Sequence, residues 1–203
     1  FYAAALALGS MLILSFGANI TAALMALSGL LFYVIVYTLV LKRRTWQNIV
    51  IGGAAGAFPP LVGWAAVTGD VVSTQSQLGW ILFGIIFLWT PVHFWALAIL
   101  IKDDYAIAKV PMLPVVRGDR ATAVQIGAYA IVTAAATLVP HFMGLTGVTY
   151  LASAVVLNGW QLWMSYQLWR EPVRSKASSL FHFSMLYLAL LFLMMAIDRA
   201  IIL

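Results

Sequence analysis

The 203-residue chain contains no cysteine, and only 8% of its residues are charged, six of them acidic. The first absence excludes a disulfide framework and every cysteine-ligated metal centre. The second excludes a water-soluble domain, in which about a quarter of the residues are charged. No GxGxxG turn, Walker loop, HExxH helix or GxSxG elbow stands in a supporting context, so no soluble-nucleotide site is expected. What fills the chain instead is apolar: 64% of residues are hydrophobic and the mean hydropathy is +1.01. This is the composition of a polytopic membrane protein, read here as one integral-membrane domain over residues 1–203 embedded in a lipid bilayer.

The formal charge of +5 would suggest a nucleic-acid partner in a soluble chain. Here ten of the eleven lysines and arginines fall in three stretches, 42–48, 102–120 and 170–178, so no nucleic acid is expected. Positive charge concentrates in cytoplasmic loops, which places these three and the start of the chain in the cytoplasm. Seven apolar spans fit between the charges: 1–16, 20–41, 49–67, 78–101, 121–139, 146–169 and 179–197. Pro59 and Pro60 should kink the third, while Gly52, Gly53 and Gly56 allow close helix contact. Asp103, Asp104 and Asp119 then face the cytoplasm, and Asp70 and Asp198 lie on the other side. The chain opens at Phe1 inside what already reads as a membrane helix, so an upstream part is expected.

The stretch HFWALAILIKDDYAIAKVPMLPVVRG, residues 93–118, is where charge enters the apolar sequence. If the fourth helix continues through Ile101, then His93, Leu97, Leu100 and Asp104 share one face, with His93 and Asp104 roughly 16 Å apart along it. Pro111 and Pro114 should hold the segment beyond extended. A polar lid over an apolar pocket, with one hollow joining the aspartates to the imidazole, is the expected result.

Hard carboxylates at a membrane mouth suit Mg²⁺, which takes one or two of them and completes its shell with phosphate oxygens and water. Asp103 and Asp104 are the candidates, with Lys102, Lys109, Arg117 and Arg120 close by to hold a diphosphate. The alternative is a set of solvated ion pairs with Lys102 and Lys109. His93 at membrane depth must face a cavity or a partner; alternatively it bonds the carbonyl that Pro91 leaves unpaired. His141 and His182 read as interfacial residues. Lys42, Arg43 and Arg44 read ordinarily as the topological anchor of their helix, at least one of them serving so, Asn48 as an N-cap or a polar residue at the entry of a span, and Tyr33 and Tyr37 as an aromatic belt or a pocket wall.

The run KDDYAIAKVPMLPVVRG at 102–118, preceded by LWTPVHFWALAI, resembles the protoheme IX farnesyltransferases, or heme O synthases, of the UbiA prenyltransferase superfamily. LVLKRRTWQNIVIGGAAGAFPPLVGWAAVTG at 39–69 and LFHFSMLYLALLFLMMAID near the C-terminus are similar to the same family. The resemblance implies an all-α polytopic bundle with seven of that family's nine transmembrane helices present. It also implies transfer of the farnesyl group of farnesyl diphosphate, with Mg²⁺, onto a vinyl group of heme b, where water adds to give heme O. By this likeness Asp104 and Asp103 hold the metal and are catalytic. Lys42, Arg43, Asn48, Lys102 and Arg117 bind substrate, and His93 contacts the heme as iron ligand or polar guide. The family's first Asp-rich motif is expected before Phe1, so the chain as it stands is expected to be an incomplete enzyme. Downstream partners would be heme A synthase or terminal oxidase assembly, in the cell membrane. Two alternatives remain: a quinone-precursor prenyltransferase of the same superfamily, and a transporter fragment using Pro59-Pro60 as a gating break and His93 as a proton relay.

Overall fold

The computed structural model describes residues 1–202. Its helices form seven rods among the described residues. They are α1 (Tyr2–Gly17); α2 (Ile20–Leu31), prolonged by wide turns over Phe32–Leu41; α3 (Asn48–Ala57) joined end to end with α4 (Pro59–Thr68); α5 (Gln77–Leu100); then, beyond the short α6 (Lys102–Ile107), α7 (Leu113–Phe142), α8 (Val148–Arg170) and α9 (Arg174–Ile202). No strand occurs among the described residues. The seven expected spans map onto these rods, but the rods differ in how well each suits a membrane. Ile20–Leu41, Asn48–Thr68, Thr74–Leu100, Leu113–Phe142 and Arg174–Ile201 are long and apolar enough to cross one. Helix α1 is short, at 16 residues, and α8 is diluted by Asn158, Gln161 and Ser165, all buried in the bundle.

Helices are what an apolar chain must form in lipid, where no water pairs with free backbone groups. Lipid is as apolar as leucine, so small side chains that let backbones approach decide the contacts between helices. Ala96, Ala98, Ala123, Ala130, Ala154 and Ala177 are all buried, while Val67, Val148 and Val156 point outward. Helix α2 begins at Asn19, whose side chain accepts from the Ala22 amide and donates to the Ala65 carbonyl at 2.7 Å, capping α2 and tying it to α4. The third rod breaks at Phe58, because Pro59 has no amide to donate and begins α4 at the position where proline is harmless.

The structure departs from two expectations. Helix α5 does not run on to Asp104: it stops at Leu100, and Ile101 leaves helical geometry (φ −112°, ψ 34°), so His93 and Asp104 do not share one helical face. The stretch 102–120 is largely helical rather than an extended loop. Helix α7 starts at Leu113 with Pro114 in its first turn, then breaks at Gly118 (φ 79°, ψ 170°), a conformation open essentially to glycine.

The three basic stretches meet at one end of the bundle. Arg117 lies 5.3 Å from the Trp46 ring, and Arg120 donates to the Trp169 carbonyl at 2.6 Å. Arg174 donates to the Leu100 carbonyl. Arginines thus cover the C-terminal carbonyls of α5 and α8, where a cation also complements the helix dipole. At the opposite end Asp198 is buried, not merely peripheral, and accepts from the Gly147 and Tyr150 amides at 2.5 and 3.1 Å. A carboxylate from α9 thereby caps the N-terminus of α8.

Candidate functional site

A cavity of about 670 Å³ opens between the Phe32–Leu41 turns, the α3–α4 rod and α5. Glycines create it. Gly52, Gly53 and Gly56 occupy one stripe of α3; a Cβ at Gly52 would sit 2.3 Å from the Tyr37 ring and one at Gly53 2.9 Å from Thr90, whereas Gly56 has open space before it. The first two let α3 approach its neighbours closely, and the third leaves room. Tyr33 and Tyr37, with ring centroids 5.4 Å apart, form one wall, Phe58 and Pro59 the bend, and Ile86, Trp89, Thr90 and Phe94 the α5 face. The wide turns matter: Lys42 bonds back five residues to the Tyr37 carbonyl at 2.8 Å, and such π-type turns re-aim side chains, often at functional sites. The tyrosines are therefore pocket wall, a choice their sequence left open.

His93 lies on the same α5 stripe as Ile86, Trp89 and Thr90, at i+7, i+4 and i+3. Its ring is stacked between Trp89 and Phe181, centroids 4.5 and 4.7 Å away. It is held by Ser184 rather than by the carbonyl below Pro91: Nδ1 lies 2.8 Å from the Ser184 hydroxyl. That hydroxyl donates its one proton to the Phe181 carbonyl at 2.6 Å. It must therefore accept from Nδ1–H, which leaves the lone pair on Nε2.

Asp103 and Asp104 are both exposed on α6. The ion pairs with Lys102 and Lys109, their alternative reading, do not form. Lys102 instead binds Asp119 at 2.9 Å, and neither Asp103 nor Asp104 has an ionic partner among the described residues. The cavity walls reach Tyr37 and Ile49 but include neither aspartate nor His93, so the single hollow expected between them is not enclosed. Tyr105, next to Asp104, turns inward against the core, and burial pushes its phenol above the ordinary range. Lys109 closes α6 in a left-handed conformation (φ 54°), unusual for a residue other than glycine and the kind of strain that gathers at functional sites.

The remaining expected residues divide. Lys42 is 5.9 Å from the Tyr37 ring, and Asn48 is buried with Nδ2 donating to the Lys42 carbonyl at 3.2 Å and Oδ1 unpaired. Gln47, not Asn48, holds the N-cap position. Arg43 is exposed, as is Arg117 on Trp46. Lys42 and Asn48 thus adjoin the cavity-lining Tyr37 and Ile49, whereas Arg43 and Arg117, like the aspartates, are not part of its walls. No group of three or more acidic, histidine or cysteine side chains converges among the described residues. Two unpaired neighbouring carboxylates nevertheless suit Mg²⁺, which needs no more from a protein when phosphate supplies the rest. Sequence reasoning gave no role to Tyr105 or Ser184 and no partner to Asp119. The first could have been found from α6 periodicity, which turns its side chain away from Asp103; the other two become partners only across the bundle.

Residues 1–194 match the UbiA prenyltransferase family. The chain is similar to the protoheme IX farnesyltransferase of Thermus thermophilus, 58% identical over 98% of this chain and 32% of that protein. It is also similar to those of Deinococcus radiodurans, 55% identical over 89% and 58%, and Gloeobacter violaceus, 54% identical over 97% and 64%. It therefore spans about one third to two thirds of the length of these relatives. In fold it is similar to a solved structure described as "Structural and mechanistic insights into the biosynthesis of Digeranylgeranylglyceryl phosphate synthase in membranes". The TM-score is 0.74 at 18% identity, covering 97% of this chain and 67% of that one.

Proposed function

Since this chain belongs to the UbiA prenyltransferase family, we propose that it transfers the farnesyl group of farnesyl diphosphate to a vinyl group of heme b, with addition of water, to give heme O and diphosphate. The observation that carries this reading is the apolar, aromatic-walled cavity with Lys42 beside its Tyr37 wall, in a bundle whose two exposed, unpaired aspartates lie outside that cavity on α6. An isoprenoid tail fits the cavity, and in this reading the diphosphate headgroup lies between Lys42 and the aspartates. The names of the relatives select the heme acceptor.

In this reading Asp104 and Asp103 hold Mg²⁺, which when bound draws charge off the diphosphate and eases its departure. Lys42, Arg43 and Arg117 place positive charge where the leaving group gains negative charge, an effect worth most when donors are fixed before reaction. Lys102 is shared with Asp119, so it contributes either by changing partner or by steadying α6 against α7. Asn48 Oδ1, buried and unpaired, orients a polar substrate group. Trp89, Phe94, Tyr33 and Tyr37 shield the allylic cation from bulk water. His93 presents Nε2 to the heme. The protein sits in the cell membrane with the aspartates on the cytoplasmic side, and heme A synthase or terminal oxidase assembly receives the product.

The test is product formation from heme b and farnesyl diphosphate by the purified protein in detergent, read by mass spectrometry. Chelation of divalent cations should abolish turnover. Asp104→Asn should lower kcat by about 10²–10³, and His93→Ala should remove the absorbance change that accompanies heme binding. Prenylation of a quinone precursor but not of heme would overturn the assignment.

A further inference from the structure

The cavity is almost wholly apolar, yet the proposed reaction adds one water to its product, and a different part of the bundle has the chemistry to hold it. Both amide atoms of Gln161, the hydroxyl of Thr133 and the indole N–H of Trp95 are buried without a partner. All three residues are 1% exposed or less. Leaving such a group unpaired in the interior is costly, so a folded bundle keeps such groups where something satisfies them. Thr133 cannot do so alone, since a primary amide offers two donors and an acceptor with two lone pairs.

Helix register places these groups beside the cavity. Asn158 donates to Thr137 at 2.8 Å and Tyr187 donates to Asn158 at 2.7 Å, which aligns 137 on α7, 158 on α8 and 187 on α9. One turn toward the basic end of these antiparallel helices come Thr133, Gln161 and Ser184. Trp95 meets Tyr129, one further turn along α7, with centroids 5.5 Å apart. Ser184 is the residue that holds His93, and its carbonyl accepts from the indole of Trp89 at 3.0 Å. The unsatisfied layer therefore backs onto His93 and onto Trp89, which lines the cavity.

We propose that this layer holds ordered water, bound by Gln161 and Thr133, and that it supplies the hydroxyl of the product; the second half rests on the heme reading above. The diphosphate leaves with the bonding electron pair, and the terminal vinyl carbon of the heme uses its π pair to bond the farnesyl carbon. The positive charge moves to the inner vinyl carbon. Water from the layer adds its oxygen there, and its surplus proton passes to Nε2 of His93. Gln161 and Thr133 are positioning residues: without the water, the same cation sheds a proton from the adjacent carbon and ends as an alkene lighter by one water.

The experiment measures that partition in the Gln161→Met and Thr133→Val variants, both of similar volume to the original side chain. The dehydrated fraction should rise about five- to tenfold, the factor expected for losing one hydrogen bond to the water, while farnesyl diphosphate consumption falls far less. An unchanged ratio in both active variants would overturn the proposal. X-ray hydroxyl-radical labelling of the unmodified protein gives an answer independent of any variant's folding. Trp95 should be labelled despite its burial, and an unlabelled Trp95 would exclude the water. If the unmodified protein prenylates no heme, the functional reading falls while the labelling still decides whether the layer is hydrated.

Discussion

Filling the cavity at Gly56 tests directly whether it binds the isoprenoid. Nothing lies within 4 Å of the Cβ position there, and Gly56 is part of the cavity wall, so Gly56→Leu fits without moving a helix. The added side chain occupies the space of three or four isoprenoid carbons, each worth about 0.8 kcal/mol when buried. The loss comes to roughly 2–3 kcal/mol, or about a 30- to 150-fold rise in the KM for farnesyl diphosphate. Gly63→Leu is the control: it too has free space but lies outside the cavity wall. Initial rates against farnesyl diphosphate concentration, alongside thermal unfolding of both variants, would measure the effect. A shorter allylic diphosphate should suffer less from the same substitution. An unchanged KM in a folded, active Gly56→Leu protein would show that the tail binds elsewhere.

Asp198→Ala should lower the thermal midpoint through loss of about 2–4 kcal/mol, since it removes charge-assisted bonds to the Gly147 and Tyr150 amides. Asp198→Asn should fall between, and a midpoint equal to the parent's in both would remove the cap from the account of α8. Gly52→Ala should displace Tyr37, whose ring a Cβ would meet at 2.3 Å, and weaken diphosphate binding more than Gly56→Ala does. The Asp70 loop should respond to acid in a defined direction. Hydrogen bonds from Ser73, then from the Val72 amide, hold the Asp70 carboxyl well below the ordinary carboxylate range. A depressed folded pKa means its stabilisation is complete above the unfolded value of about 3.9 and is lost as pH falls through the lower folded value. Amide exchange at Val72 and Ser73, corrected for intrinsic rate, should therefore accelerate only in strong acid; acceleration already near the ordinary value would refute the role given to these hydrogen bonds.

How much was legible beforehand follows from the range of each interaction. Apolar runs, the basic stretches and the proline pair are local, and they determined an all-α bundle, seven rods, the bend at Phe58 and the gathering of positive charge at one end. Hydropathy integrates over a whole span, so these readings tolerate errors of a few residues at each boundary. The acidic pair and His93 were visible as residue types out of place in an apolar chain. Their geometry was not visible, because it turns on single backbone torsions: Ile101 leaves the helix, α6 swings its aspartates outward, and the expected common face disappears. The same limit applies to the spacing of glycines, which announces close packing without saying that Gly52 meets Tyr37, that Gly53 meets Thr90 and that Gly56 meets nothing. Only the assembled bundle brought Ser184 to His93, Asp119 to Lys102 and Asp198 to the start of α8, pairs separated by 91, 17 and about fifty residues. Partner choice at such separations depends on which faces of which helices meet, and that is decided by how small and large side chains interlock once the rods are side by side.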